Sequence, residues 1–284
     1  PSWPYGQRPY LFGGMMWHEI IRQSGLESIK KLHQTYARRL PFLLNGPVKE
    51  ATGLDYQELR QRAFDRIQIR SNEQISRVHK ERNYDPKTLI QGPGLQRAPR
   101  ISPNGQSIIY LRFVPFEGLF LERAKWNDRK NDFDFENATR LLRPRGSRRA
   151  SWLPDSRSFV YDQIHRHDRF YMFRDLHLYD LDRGESQRLT KGLRASDPTV
   201  SPDGSQVAFV KISGAQTNLA VMTLESRDVE IVFRPPSQAR ISHPEFISDD
   251  ELIFSGRSRN GSESLYVFDL QTQKAHKVLK SHGA

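Results

Sequence analysis

The 284-residue chain has no cysteine, so disulfide scaffolds and thiolate metal sites are excluded. No run of eighteen apolar residues occurs, which argues against a membrane-spanning helix. The chain lacks the Gly-x-Ser-x-Gly elbow that places a nucleophilic serine on a strand-to-helix turn; residues 256–260 come nearest, in an expected turn. It also lacks the Gly-x-x-x-x-Gly-Lys-Ser/Thr loop that cradles phosphates. A basic-then-apolar leader is missing too, and a chain opening on Pro1 reads as a fragment or processed form. At 36% hydrophobic residues it can still bury a sizeable core. The formal charge of +11 is uneven: residues 1–100 carry +8, residues 101–200 carry +4 and residues 201–284 carry −1. Such an excess favours acidic partners without choosing among them.

The first part reads as helical. Leu11, Phe12, Met15, Met16, Ile20 and Ile21 recur at three- and four-residue spacing, one buried helix face, with Gly25 as a left-handed cap. Leu26, Ile29, Leu32, Tyr36 and Leu40 form a second amphipathic run, stopped by Pro41. A third helix is expected after Gly53, running to about Lys80, where Asp55 and Glu58 are spaced as a capping box. Asp85-Pro86 and Gln91-Gly92-Pro93-Gly94 make a turn-rich connector, giving a helical segment 1–85, a linker 86–96 and a strand-rich region 97–284.

From Arg97 short alternating strands replace the helical spacing, and their turns repeat. Ser102-Pro103-Asn104-Gly105 precedes the strand at Ile108, Pro154-Asp155-Ser156 the one at Phe159, Ser201-Pro202-Asp203-Gly204 the one at Val207, and Ser248-Asp249-Asp250 the one at Leu252. Pro103, Pro154, Pro202 and Ser248 are spaced by 51, 48 and 46 residues. Strand-rich repeats of about 40–50 residues mark a β-propeller, whose blades each expose two apolar faces and need neighbours. The fold class is therefore mainly β, a partial or complete β-propeller with about four visible blades and an N-terminal helical segment.

The Ser-Pro-Asp-Gly turn followed by Val207-Ala208-Phe209 resembles the WD40-like repeat of the TolB family, also found in propellers of prolyl-oligopeptidase-like enzymes. That resemblance implies a non-catalytic scaffold of the bacterial cell envelope, periplasmic or otherwise extracytoplasmic. It would bind a protein or peptide at one propeller face. The Gly and aromatic positions of residues 9–14, Gly25, and residues 43–45, 51–53 and 56–59 resemble the helical tail of peptidase-MA-like (gluzincin) zinc metallopeptidases. On that resemblance the chain is alternatively the substrate-sorting part of a peptidase whose active site lies upstream. Within the chain, His18-Glu19 is followed by Arg22 where a second histidine ligand would stand, so both are read as ordinary helix residues.

Catalytic, metal and cofactor residues are accordingly expected to be none. Phe116, Trp126, Arg166, His167 and Arg257 are the expected binding residues, because aromatics and arginine in loops dominate interface energetics. His165-Arg166-His167-Asp168 is read as a solvated hairpin loop rather than a chelate. The basic run Arg140, Arg143, Arg145, Arg148 and Arg149, with Trp126 and Trp152 as stacking groups, could grip phosphates. The upstream acids Asp128, Asp132, Asp134 and Glu136 are expected to neutralise it, so nucleic acid is not the expected partner. Asp155, Asp203 and Asp249 are read as turn-forming acceptors rather than calcium ligands.

Overall fold

The computed structural model describes residues 8–38, 45–81, 87–90, 94–236 and 239–280. Two compact units result, Pro1–Thr88 and Leu89–Ala284.

The first unit is helical. It comprises α1 (Arg8–Ser24), α2 (Glu27–Tyr36), α3 (Asn45–Thr52) and α4 (Tyr56–Glu81). Gly25 takes φ 75° and its amide closes α1 on the Ile21 carbonyl at 2.7 Å. The capping box ahead of α4 forms in both directions. Asp55 Oδ1 accepts the Gln57 and Glu58 amides at 2.8 and 2.9 Å, and the Asp55 amide donates to Glu58 Oε2 at 2.9 Å. Ile20, Leu32, Val48 and Leu59 form the core, one residue from each helix. Helix α3, eight residues containing Gly46 and Pro47, is too short and too poor in apolar spacing to stand out in the sequence. His18 is exposed, and Arg22 donates to buried Glu19 at 3.2 Å, so this turn of helix is an ion pair and not half of a zinc site. Leu40, Pro41, Asp85, Pro86 and residues 91–93 lie outside the described residues.

The second unit contains four antiparallel sheets in chain order. The first holds β1 (Leu95–Ile101), β2 (Ser107–Val114) and β3 (Gly118–Asn127), with β4 (Asp132–Phe133) and β5 (Thr139–Leu142) both paired to β3. The second holds β6 (Ala150–Trp152), β7 (Ser158–His167), β8 (Tyr171–Asp180) and β9 (Glu185–Arg188). The third holds β10 (Ala195–Val200), β11 (Gln206–Ser213), β12 (Gln216–Thr223) and β13 (Val229–Phe233). The fourth holds β14 (Arg240–Phe246), β15 (Glu251–Arg257), β16 (Glu263–Asp269) and β17 (Lys274–Lys280). This is a four-blade propeller arrangement, with the first strands of successive blades adjacent: β1 beside β6, β6 beside β10, β10 beside β14.

Strand alternation sends one side of each blade toward its predecessor and the other toward its successor. Phe159, Tyr161 and Tyr179 of blade two pack on Ile109, Leu111 and Leu121 of blade one. On the opposite face, Val160 and Leu176 pack on Val207, Phe209 and Met222 of blade three. Ala208, Val210 and Leu219 then meet Leu252, Phe254 and Phe268 of blade four. Three shared cores thus join four blades. The remaining face of blade one is covered from its own chain, where Ile90, Phe133, Phe135 and Ala138 lie on Ile108, Tyr110 and Ala124.

Three of the four repeated turns are built alike. Gly105 and Gly204 adopt φ 73° and 79°, conformations glycine enters without steric cost, and Ser156 takes φ 57° at the matching place. Asp155 Oδ1 accepts the amides of Arg157 and Ser158 at 2.8 and 2.9 Å. Asp203 Oδ1 accepts the Ser205 amide at 2.9 Å. The expected turn-forming role of Asp249 is corrected: Ser248 Oγ accepts the Asp250 and Glu251 amides at 3.3 and 3.1 Å, and Asp249 Oδ1 accepts the Asp203 amide at 2.9 Å, tying blade four to blade three.

Candidate functional site

The first strands of blades one, three and four each break register at a proline: Ala98-Pro99, Asp197-Pro198 and His243-Pro244. In each case the residue before the proline has a positive φ, between 52° and 55°. Such a bulge locally re-aims the strand's side chains. Long charged side chains around the bulges then link the blades. Arg100 of blade one donates to Glu245 Oε2 of blade four at 2.7 Å, and buried Arg149 of blade two pairs with the same oxygen. Arg149 also donates to the Pro244 carbonyl at 2.9 Å, and Thr199 Oγ1 of blade three donates to Glu245 Oε1 at 3.4 Å. One carboxylate therefore touches side chains from the other three blades. Burial pushes the Glu245 carboxyl up, opposed by Arg100 and Thr199. Sequence reading missed this hub, although a proline four residues ahead of Pro103, Pro202 and Ser248 marks the bulge in three repeats.

Blade two carries a second polar group. His165 and His167 lie in β7, i and i+2, on one face. The expected solvated loop is corrected here, because both rings are engaged. His165 Nε2 and His177 Nε2 are 2.7 Å apart with the rings stacked, one nitrogen donating and the other accepting. His167 Nε2 lies 3.1 Å from Asp175 Oδ2, which also accepts from Arg188 at 2.6 Å and the Gly192 amide at 3.0 Å. Burial pushes His177 down to about 4 and lowers His165 as well. For Asp175 the upward push of burial is outweighed by the Gly192, Arg188, Leu193 and Thr190 donors, so its carboxyl lies below the ordinary value. On the other face of the sheet, burial pushes fully enclosed Asp162 up to about 6 despite donors from Arg148 and Ser147 and the Arg174 charge. Among the described residues no group of three or more His, Asp or Glu side chains is placed to hold a metal ion.

The propeller's two ends differ in charge. Antiparallel order puts the loops between second and third strands at the same end as the links from one blade to the next. Residues 115–117, 143–149, 168–170, 189–194, 214–215, 234–236 and 258–262 there carry nine Arg or Lys against two Asp or Glu. The opposite end is made of residues 102–106, 128–131, 134–138, 153–157, 181–184, 201–205, 224–228, 247–250 and 270–273. It carries five Arg or Lys against ten Asp or Glu. Net charge by chain segment hides this, since each blade contributes to both ends.

The expected binding residues divide between these ends. Phe116 is 85% exposed in the turn between β2 and β3. Arg166 and His167 close β7, and Arg257 closes β15 with Glu263 3.7 Å away; all four stand at the basic end. Trp126 lies near the end of β3 at the acidic end, donating to Asp128 at 3.0 Å and packing edge-on to Phe133. The expected neutralisation of the arginine run is also corrected. Asp134 and Glu136 take Lys130 at 3.3 and 2.8 Å, and Arg140 instead reaches Glu117 at 2.7 Å and Glu122 at 3.4 Å. Arg148 lies 3.5 Å from Asp197, and Arg149 enters the hub.

No family model matches this chain, and no curated protein matches its sequence. Solved structures do. TolB from Acinetobacter baumannii superposes with a TM-score of 0.54 at 14% identity, over 69% of this chain and 46% of that one. A puromycin-hydrolyzing peptidase from Mycobacterium tuberculosis gives 0.52 at 13% identity, over 68% of this chain and 30% of that one. Oligogalacturonate lyase in complex with manganese gives 0.50 at 14%, over 68% and 55%. At such identities the likeness is one of fold: these are TolB-like β-propeller blades. The chain spans under half the length of the Acinetobacter TolB it matches. These comparisons do not confirm the gluzincin resemblance of the helices.

Proposed function

We propose that the chain is a non-catalytic binding scaffold of the bacterial cell envelope, outside the cytoplasm. Its blades hold the loops of the basic end rigid, and those loops take a protein or peptide ligand without a cofactor. The observation that carries this reading is that Phe116, Arg166, His167 and Arg257, far apart in sequence, come from three different blades to one end. Rigid presentation lowers the ordering entropy a loop loses on binding, which is where a scaffold adds affinity. The neighbours support a scaffold in general terms, since the shared fold occurs in TolB and in peptidases alike; the envelope setting rests on the TolB likeness alone.

The test pans a random peptide library against the full chain. The same library is counter-screened on a Phe116→Ser/Arg166→Gln/Arg257→Gln variant and on Trp126→Ser. Peptides held by the wild type and by Trp126→Ser but released by the triple variant are expected. A library that yields no binder dependent on those three residues overturns the reading.

A further inference from the structure

The second blade's hairpin is built unlike the other three. Its first arm, β7, runs ten residues, against eight in β2 and β11 and seven in β15. Two extra residues carry the tip about 7 Å further out than its neighbours. His167 pairs with Tyr171 across the tip, and the Phe170 amide donates to the carbonyls of Asp168 and His167 at 2.9 and 3.2 Å. Asp168 and Arg169 both have positive φ, 44° and 66°, an uncommon geometry for two adjacent non-glycine residues.

Three exposed side chains at the tip are apolar. Phe170 is 85% exposed, Tyr171 58% and Met172 56%. Tyr171 and Met172 are consecutive strand residues, so they face opposite sides and the apolar surface wraps around the tip. A projection that is apolar on both sides matches a soft, deformable medium better than a flat protein surface. Arg166 and Arg169 flank it, and Asp168 is the single acid of the tip. Behind it stand the loops with Arg143, Arg145, Lys191 and Arg194, part of the nine-to-two basic end.

We propose that this finger docks the protein on an anionic phospholipid surface, with Phe170, Tyr171 and Met172 entering the acyl–headgroup boundary while the arginines around them meet lipid phosphates. Both halves of the arrangement are needed. Shallow apolar insertion anchors, and basic residues close to an anionic leaflet each add to the attraction. A nucleic acid would favour a recessed, aromatic-lined groove, and a protein partner a pocket or flat patch; the finger is neither. Arg166 is shared with the peptide-binding reading, so the apolar tip tells the two apart: Phe170→Ser/Tyr171→Ser/Met172→Ser should lose vesicle binding while peptide capture that depends on Phe116 and Arg257 is unchanged.

The experiment sediments the full chain with vesicles of phosphatidylcholine alone or containing about 30 mol% phosphatidylglycerol, at about 0.1 M salt. Partition onto the anionic vesicles is expected, with weak binding to the neutral ones. Phe170→Ser/Tyr171→Ser/Met172→Ser and Arg166→Gln/Arg169→Gln should each lower the partition by about tenfold or more. The Phe170→Trp variant should gain a blue-shifted emission component on anionic vesicles alone. Unchanged circular dichroism in the variants separates docking from folding. The proposal is overturned by a wild-type chain that stays in the supernatant, by tip variants that pellet like the wild type, or by tip-dependent capture of a single-stranded RNA or acidic peptide without vesicle binding.

Discussion

The two ends of the propeller use charge in different ways. At the acidic end several carboxylates serve their own backbone. Asp155, Asp180 and Asp269 each accept two turn amides within 3.1 Å, and Asp203 accepts Ser201, Ser205 and its own turn. Those donors hold the Asp203 carboxyl down at about 2, with Ser201 and Ser205 the leading cause. At the basic end one cation also serves a turn, Arg143 donating to the Glu117 carbonyl between β2 and β3. Others are pinned locally: Arg194 lies 4.1 Å over the Phe173 ring, and Arg174 donates to the Gly146 carbonyl at 2.7 Å. Arg166 and Arg169 make no ion pair among the described residues. A carboxylate that closes a turn is structural wherever it stands, whereas a guanidinium left outside the fold's own hydrogen bonds is available to something else. That contrast separates the holding end from the presenting end.

The largest effect expected to sharpen this contrast comes from neither end, but from the buried groups of blade two. His177 has a folded value of about 4 against 6.5 for a free imidazole. The unfolded chain therefore binds more protons between those values, and stability contributed by neutral His177 is lost as pH falls from 6.5 to 4. Asp162 has a folded value of about 6 against 3.8. There the folded chain binds more protons, so stability falls as pH rises from about 4 to 6. Each shift corresponds to about 3 kcal/mol, and the two oppose one another. Urea unfolding between pH 4 and 6.5 is expected to show a nearly flat wild type. His177→Gln should gain stability on acidification, and Asp162→Asn should lose it. Equal slopes in the two variants would mean that the acid response comes from the turn carboxylates, and the contrast would break.

Much of the propeller was legible in the sequence because its signals are local. Three turns pair an acceptor side chain with a left-handed residue in fixed order, so Asn104, Asp155 and Asp203 announced their blades; the fourth was legible from its spacing, with Ser248 as its acceptor. The capping box of Asp55 and Glu58 was readable for the same reason. Helix α3 was not, since its eight residues hold only Val48 and Ala51 as apolar spacing marks besides Pro47. The hub was hidden by distance: Glu245 meets Arg100 and Arg149 across 145 and 96 residues, and no local rule couples them. The pairing of His165 with His177 likewise depends on the β7–β8 register. The charge of the two ends became visible only when loops were sorted by strand direction, because the chain visits both ends in every blade.

Smaller effects probe the ends directly. Asp155→Ala removes two amide acceptors from an exposed turn and is expected to cost about 1 kcal/mol, read as a lower urea midpoint with unchanged slope. Replacing Arg166 and Arg169 together by glutamine should change stability by less than about 0.5 kcal/mol, because neither side chain is paired among the described residues and the tip is exposed. What should change is the protein's electrostatic behaviour, with weaker retention on a cation-exchange resin at low salt and a difference that fades as salt screens the end. The comparison is sharpest where these two variants meet. The acid whose loss costs stability should leave retention little changed, and the arginines whose loss is neutral for folding should move it. If the arginine pair instead lowered the unfolding midpoint as much as Asp155→Ala does, those guanidiniums would belong to the fold's own hydrogen bonding, and the presenting end would be a second holding end.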